Sequence, residues 1–142
     1  MASEKTLIIL KPNSVRKNVI GAILQKFETA GLTIVGSRME QLVTDTCATF
    51  YAEHQGRPFY DGLVEFMTSG PVLLLVLSGD EAIARARAIM GATDPSKAEP
   101  GTIRAEFADN MTENAVHGSD SVTSAEREIA FFFTADQVCD RS

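Results

Sequence analysis

Two nearly unbroken apolar runs, at 6–10 and 72–77, stand out from a chain otherwise patterned at helical or alternating spacing. Runs of that length predict strands buried on both faces. The first ends at Lys11 and Pro12, so Lys11 sits where a central strand leaves the sheet. Over 15–30, Val19, Ile20, Ile23, Leu24 and Phe27 form one stripe, predicting a helix closed by Gly31. Positions 33–42 are β-rich and partly alternating, a second strand. Thr44 is the expected N-cap of a short helix over 44–53, with Cys47, Phe50, Tyr51 and His54 on one face. After a turn at Gln55 to Pro58, Pro58 suits the first turn of a helix over 59–68. Its stripe is Phe59, Leu63, Phe66 and Met67.

Gly79 and Asp80 predict a turn, with Asp80 capping a helix over 81–90 that carries Arg85 and Arg87 and ends at Gly91. The stretch 92–113 has no periodicity and is punctuated by Pro95, Pro100 and Gly101. It reads as a long loop, holding Thr93 and Arg104, and loops of that kind are often functional. A short apolar step at 115–117 is the fourth strand. Thr123 and Glu126 have capping-box spacing at the start of a last helix, which runs to about Phe133 and buries Ala125, Ile129 and Phe132. The tail 134–142 is short and polar.

The order reduces to βαββαβ with extra helices. That predicts an α+β, ferredoxin-like fold: a four-stranded antiparallel sheet covered by helices, with a long loop before the last strand. The length of 142 residues suits one domain, 1–142, with a real core. No apolar run approaches a membrane span, and the N-terminus has no secretory pattern. Cys47 and Cys139 have no metal-type spacing, so reduced thiols in a cytoplasmic protein are expected. The net charge of −6 argues against general binding to nucleic acid or anionic membrane. It leaves room for a small anion held by a local cluster of Lys and Arg.

The segment NAVHGSDS at 114–121 is the focus of the candidate chemistry. His117 lies against Gly118, whose missing side chain would let a ligand approach the ring. Small polar residues and a helix start follow, and helix starts favour anions. The plainer reading is a capped turn with a half-exposed histidine. Of the two histidines, His54 lacks such a small-residue cradle. Ser119 and Glu128 could hold the His117 ring, as a histidine base or nucleophile requires. Lys11, Arg57, Arg87 and Arg104 all fall at element ends, a placement that suits a phosphate clamp. Tyr51 could be a core tyrosine or offer its hydroxyl to a cleft, and Phe59 could project into the cleft mouth. P-loop, dinucleotide and zinc-protease motifs are absent from the sequence.

With NAVHGSDS stand ILKP at 9–12, FY at 50–51, RPF at 57–59, FMTSGP at 66–71, MGATDP at 90–95 and GTIR at 101–104. Together these segments resemble nucleoside diphosphate kinases of the compact bacterial type, over essentially the full chain. The resemblance implies a ping-pong transfer. His117 takes the γ-phosphate of a nucleoside triphosphate on Nδ1 and passes it to a nucleoside diphosphate. It implies that Glu128 and Ser119 orient the ring and that Tyr51 lies near the reacting nitrogen. Lys11, Arg87, Thr93 and Arg104 match phosphate contacts, and Mg2+ bridges the phosphates. Lys11 and Asn114 match ribose contacts, and Phe59 matches the aromatic on which the base stacks. A base held by stacking implies broad use of bases and sugars. Met111 departs from the branched aliphatic residue common opposite that aromatic. The implied assembly is a homo-oligomer, a tetramer built from paired dimers, with dimer and hexamer left open.

Three other readings compete. A ferredoxin-like nucleotide-binding or regulatory module would share the fold without needing His117, Gly118, Ser119 and Glu128 together. Nucleic-acid binding lacks a basic stripe. A metal site at His117 and Asp120 lacks further ligands.

Overall fold

The computed structural model of the protein describes residues 3–141; Met1, Ala2 and Ser142, the outermost positions of the N-terminus and polar tail, lie outside the described residues. Strands β1 (Ser3–Leu10), β2 (Thr33–Glu40), β3 (Val72–Asp80) and β4 (Val116–Gly118) form one sheet in the order β2-β3-β1-β4. Every neighbouring pair is antiparallel. The helices are α1 (Pro12–Arg16), α2 (Ile20–Thr29), α3 (Thr44–Phe50), α4 (Tyr60–Met67), α5 (Ala82–Met90), α6 (Ile103–Phe107) and α7 (Val122–Phe132). This is the expected ferredoxin-like arrangement with additions.

Both faces of the sheet are covered, which is why β1 and β3 read as unbroken apolar runs. Leu7, Ile9, Leu74 and Val76 pack with Cys47, Phe50, Leu63, Phe66 and Phe132 from α3, α4 and α7. Ile8, Leu10, Leu75 and Leu77 pack on the other face with Ile23, Phe27, Ala82, Ala86 and Met90 from α2 and α5. The alternation of side chains along a strand sends consecutive residues to opposite cores.

The element ends depart from the sequence reading in informative ways. Ser3 pairs with Asp80 and Glu4 with Gly79, so the expected turn at Gly79 and Asp80 is strand. Asp80 does not cap α5. Glu81 stands at the N-cap with φ 50°, and Glu4 on β1 accepts from the Ile83 N–H at 3.2 Å. The helix expected over 15–30 is two helices. Pro12 suits the first turn of α1, and Asn18, at φ 62°, breaks the path before α2. Thr44 lies within α3 and Val43 is its N-cap; a 3-10 turn, Ala52–His54, follows. Pro58 precedes α4, which starts after Phe59. The stretch 92–113 is not structureless: Asp94 caps a 3-10 turn, Pro95–Lys97, and Thr102 caps α6. Five residues are too few to display helical periodicity. Ser121, not Thr123, caps α7 and accepts from the Ser124 N–H at 3.1 Å. On α7 Glu128 is buried and Ile129 only partly so. The tail lies along β2, where the Cys139 N–H donates to the Val35 carbonyl at 2.7 Å beside a register shift.

Candidate active site

Strand β4 has only three residues, but they set the site. Ile9 pairs with His117, and Leu10 with Val116, so the imidazole stands beside the end of β1 where Lys11 leaves the sheet. Just before β4 the chain makes a tight turn. The Val116 N–H donates to the Asn114 carbonyl at 2.9 Å, and Ala115 is left-handed at φ 77°. An alanine there is strained, and its neighbours hold it: the Ala115 carbonyl accepts from the Lys11 N–H at 2.8 Å and from the Ser14 hydroxyl at 2.9 Å.

The His117 ring is fixed from behind. Its Nε2 lies 3.0 Å from Glu128 Oε1, and the Ser119 hydroxyl donates to the same oxygen at 2.7 Å. Ser119 in turn accepts from the Leu7 N–H at 3.2 Å, tying the network to the central strand. The Phe50 ring stands edge-on to the imidazole, centroids 5.5 Å apart. Burial by itself raises the Glu128 carboxyl. The hydrogen bond and charge of His117, with the Ser119 hydrogen bond, outweigh it and hold the carboxyl below its usual range. The His117 side chain is 22 % exposed, so it can be reached from the cleft. Nδ1 has no hydrogen-bond partner among the described residues.

The cleft encloses about 610 Å³. Its lining brings together Lys11, Tyr51, Phe59, Arg87, Thr93, Arg104, Asn114, His117 and Glu128, all singled out by sequence; Ser119 lies buried behind them. Lys11 is buried, not solvated, and donates to Asn114 Oδ1 at 2.8 Å. Burial and then the Arg104 charge bring its pKa down to about 7. Arg104 is buried too. Its guanidinium donates to the carbonyls of Asn114 (3.3 Å), Gly91 (2.9 Å) and Val116 (2.8 Å). A guanidinium has five N–H donors, so about two remain for a ligand. Burial and then Arg87 bring its pKa down to about 10. Arg87 donates to the Gly118 carbonyl at 3.2 Å, and Asn114 donates to the Thr93 carbonyl at 3.4 Å. The Tyr51 hydroxyl is buried, has no partner among the described residues, and is pushed above the ordinary tyrosine range by burial. Arg57 does not line the cleft.

Gly118 has a different purpose from the one its sequence suggests. A Cβ there would lie 2.6 Å from Met90 Sδ and 3.3 Å from Ile8 Cδ1. The missing side chain makes room for the core under β4, not for a ligand. The cleft also includes residues that sequence reasoning gave no part in it, among them His54 and Ser124. His54 is 5.4 Å from the Phe59 ring and 6.1 Å from Tyr51. Its place on the Tyr51 face of the helical pattern was the available signal. Ser124 sits in the first turn of α7, and its hydrogen bond is the main cause holding the Asp120 carboxyl below the usual range.

A sequence model described as nucleoside diphosphate kinase matches residues 4–138. The chain belongs to the nucleoside diphosphate kinase family. Two solved structures bear this out. The nucleoside diphosphate kinase of Aquifex aeolicus is 43% identical, with a TM-score of 0.93 over 96% of this chain and 99% of that one. A halophilic nucleoside diphosphate kinase from Halobacterium salinarum, solved in complex with CDP, is 41% identical. Its TM-score is 0.96, over 99% of this chain and 94% of that one. The activity of this nucleoside diphosphate kinase is phosphoryl transfer between nucleoside triphosphates and diphosphates. Enzymes of the family act on nucleotides, need a divalent cation and are generally oligomeric. Among the described residues, no helix is long and apolar enough to cross a membrane.

Proposed function

We propose that this kinase works by a ping-pong mechanism with His117 as the nucleophile. The observation that carries the reading is the Glu128–His117 pair at 3.0 Å, backed by Ser119. It occupies Nε2 and leaves Nδ1 for the cleft. The Nδ1 lone pair attacks the γ-phosphorus of a bound triphosphate. The bond from that phosphorus to the β-γ bridging oxygen breaks, and the diphosphate leaves with the electron pair. Positive charge on the ring is met by the Glu128 carboxylate. A terminal phosphate oxygen of a second diphosphate then attacks the phosphorus, the P–N bond breaks, and His117 is neutral again.

Lys11, Arg87, Thr93 and Arg104 take the phosphates in this reading. Lys11 and Asn114 take the ribose, and Tyr51 stands near the reacting nitrogen. The base enters between Phe59, which is exposed at the mouth, and Met111 across the cleft. Stacking and apolar contact read a π-face more than an edge, so purine and pyrimidine, ribose and deoxyribose are all used. The divalent cation is Mg2+. No cluster of three or more His, Cys, Asp or Glu that could hold a metal lies among the described residues. Glu128 is already engaged with His117 and Ser119, which leaves Asp120 and Glu53 as the other carboxylates lining the cleft. That donor set fits a cation held mainly by the nucleotide phosphates, where it neutralises their charge.

The whole of 1–142 acts as one kinase domain, and the enzyme is a cytoplasmic tetramer of paired dimers. The tail meets the sheet-edge strand β2 near Val35 and leaves Met39 exposed farther along it, which supports self-association, and two unpaired cysteines support a reducing compartment. Light scattering on the eluting protein measures the assembly. The mechanism is tested by mixing enzyme with γ-labelled ATP and Mg2+, removing nucleotide and adding unlabelled GDP. Acid-labile label on the protein that passes to GDP, and is absent from His117→Ala, is the expected result. ATP binding without a phosphoenzyme would overturn it.

A further inference from the structure

The stretch 109–113, which carries Met111, buries no apolar side chain of its own. Met111 is 58 % exposed at its tip. Internally the loop is a closed unit: the Asp109 N–H donates to the Glu113 carbonyl at 2.8 Å. Asn110 Oδ1 accepts from the N–H groups of Thr112 (3.0 Å) and Glu113 (2.8 Å). A unit closed on itself moves as one body unless something outside holds it.

What holds it is α1, the helix that begins directly after Lys11. Asn13, almost wholly buried, donates from one amide nitrogen to Asp109 Oδ2 at 3.0 Å and to the Glu113 carbonyl at 2.8 Å. Lys17 donates to Asp109 Oδ1 at 2.7 Å and to the Phe107 carbonyl at 2.8 Å. Arg16 adds a longer contact to Glu113 at 3.7 Å. Both oxygens of one carboxylate are therefore gripped, one by α1 through Asn13 and the other by Lys17 at its C-cap. None of Asn13, Lys17 or Asp109 lines the cleft.

We propose that Asp109 is a positioning residue for the nucleotide base: through Asn13 and Lys17 it sets the distance between Met111 and Phe59. This rests on the reading that the base enters between those two side chains. The carboxylate touches neither substrate nor His117. Its loss lets the loop swing outward and opens one side of the slot, while the phosphate and histidine geometry, built on Lys11 after β1, Arg87 on α5, Arg104 on α6 and the His117–Glu128 pair of β4 and α7, stays in place.

The test compares wild type with Asp109→Ala, Lys17→Met, the double variant and Phe59→Ala. ADP affinity, kcat at saturation, and inhibition by inorganic tripolyphosphate, which has phosphates but no base, are measured for each. Removing one side of a stacked base predicts about a tenfold weaker ADP affinity for Asp109→Ala. kcat and tripolyphosphate inhibition stay within about twofold of wild type, since a transition-state contact is not lost. Lys17→Met shows the same pattern more weakly, and the double variant is no worse than Asp109→Ala, as two ends of one contact require. Unchanged ADP affinity in both single variants overturns the proposal, as does an equal loss for ADP and tripolyphosphate. Phe59→Ala separates the two readings: if it too leaves ADP affinity unchanged, the base slot itself has been misplaced.

Discussion

Nucleotide binding by this enzyme takes up a proton above neutral pH, and Lys11 is the group that gains it. In the free protein the Lys11 ammonium is buried and faces Arg104, with only the neutral Asn114 oxygen as partner, and its pKa is about 7. A bound phosphate supplies the missing counter-charge and returns the pKa toward the ordinary 10.5. At pH 8 about nine-tenths of free Lys11 is neutral, so binding draws in about 0.9 protons; at pH 7 about 0.5 and at pH 6 about 0.1. Arg104, at about 10, is still charged at pH 8. Terminal phosphates ionise near pH 6, so at pH 8 the ligand itself contributes little. Calorimetry of ADP binding to unphosphorylated enzyme, in buffers of different ionisation enthalpy, reads the proton count directly. ADP affinity falls up to tenfold per pH unit above 7. Fewer than about 0.3 protons at pH 8 would refute the reasoning and place a counter-charge beside Lys11 in the free enzyme. Stability has the opposite sign. The folded pKa lies below the unfolded one, so the Lys11 contribution is fully present above pH 10.5 and lost as pH falls toward 7.

Other outcomes follow from the geometry. Glu128→Ala frees the His117 ring and lowers kcat about 100-fold, with nucleotide KM little changed, by steady-state assay. Gly118→Ala forces a methyl against Met90 and costs about 1–3 kcal/mol of stability in urea unfolding, as overpacking of a filled core does. No base is preferred over another by more than about 1000-fold in kcat/KM across the common nucleoside diphosphates, since stacking and apolar contact carry the recognition.

Hydrophobic pattern revealed the sheet because both of its faces are covered, which makes the central strands unmistakable. It stopped at the polar strand ends, since Ser3 opposite Asp80 is a fact of pairing that no local pattern encodes. Helix caps went astray at Thr44, Asp80 and Thr123 for a related reason. A capping side chain is one way to satisfy a helix end, and Glu4 serves α5 from a distant strand. His117 stood out in the sequence as a histidine set among small polar residues, and the cleft gathers it with most of the other candidates. The role of Gly118 was not legible, because Met90 arrives from another helix. Nor was the burial of Lys11 and Arg104, whose positions at element ends look the same whether the side chain turns out or in.

Arg104 joins the carbonyls of Gly91, Asn114 and Val116, which come from a helix end, a strained turn and a strand. Three segments in and beside the cleft thus share one keystone. None can loosen without leaving that buried cation short of an acceptor. Lysine is no substitute: its donors radiate from one nitrogen and cannot span three carbonyls. Amide exchange at the start of β4 is thereby coupled to a side chain twelve residues before it.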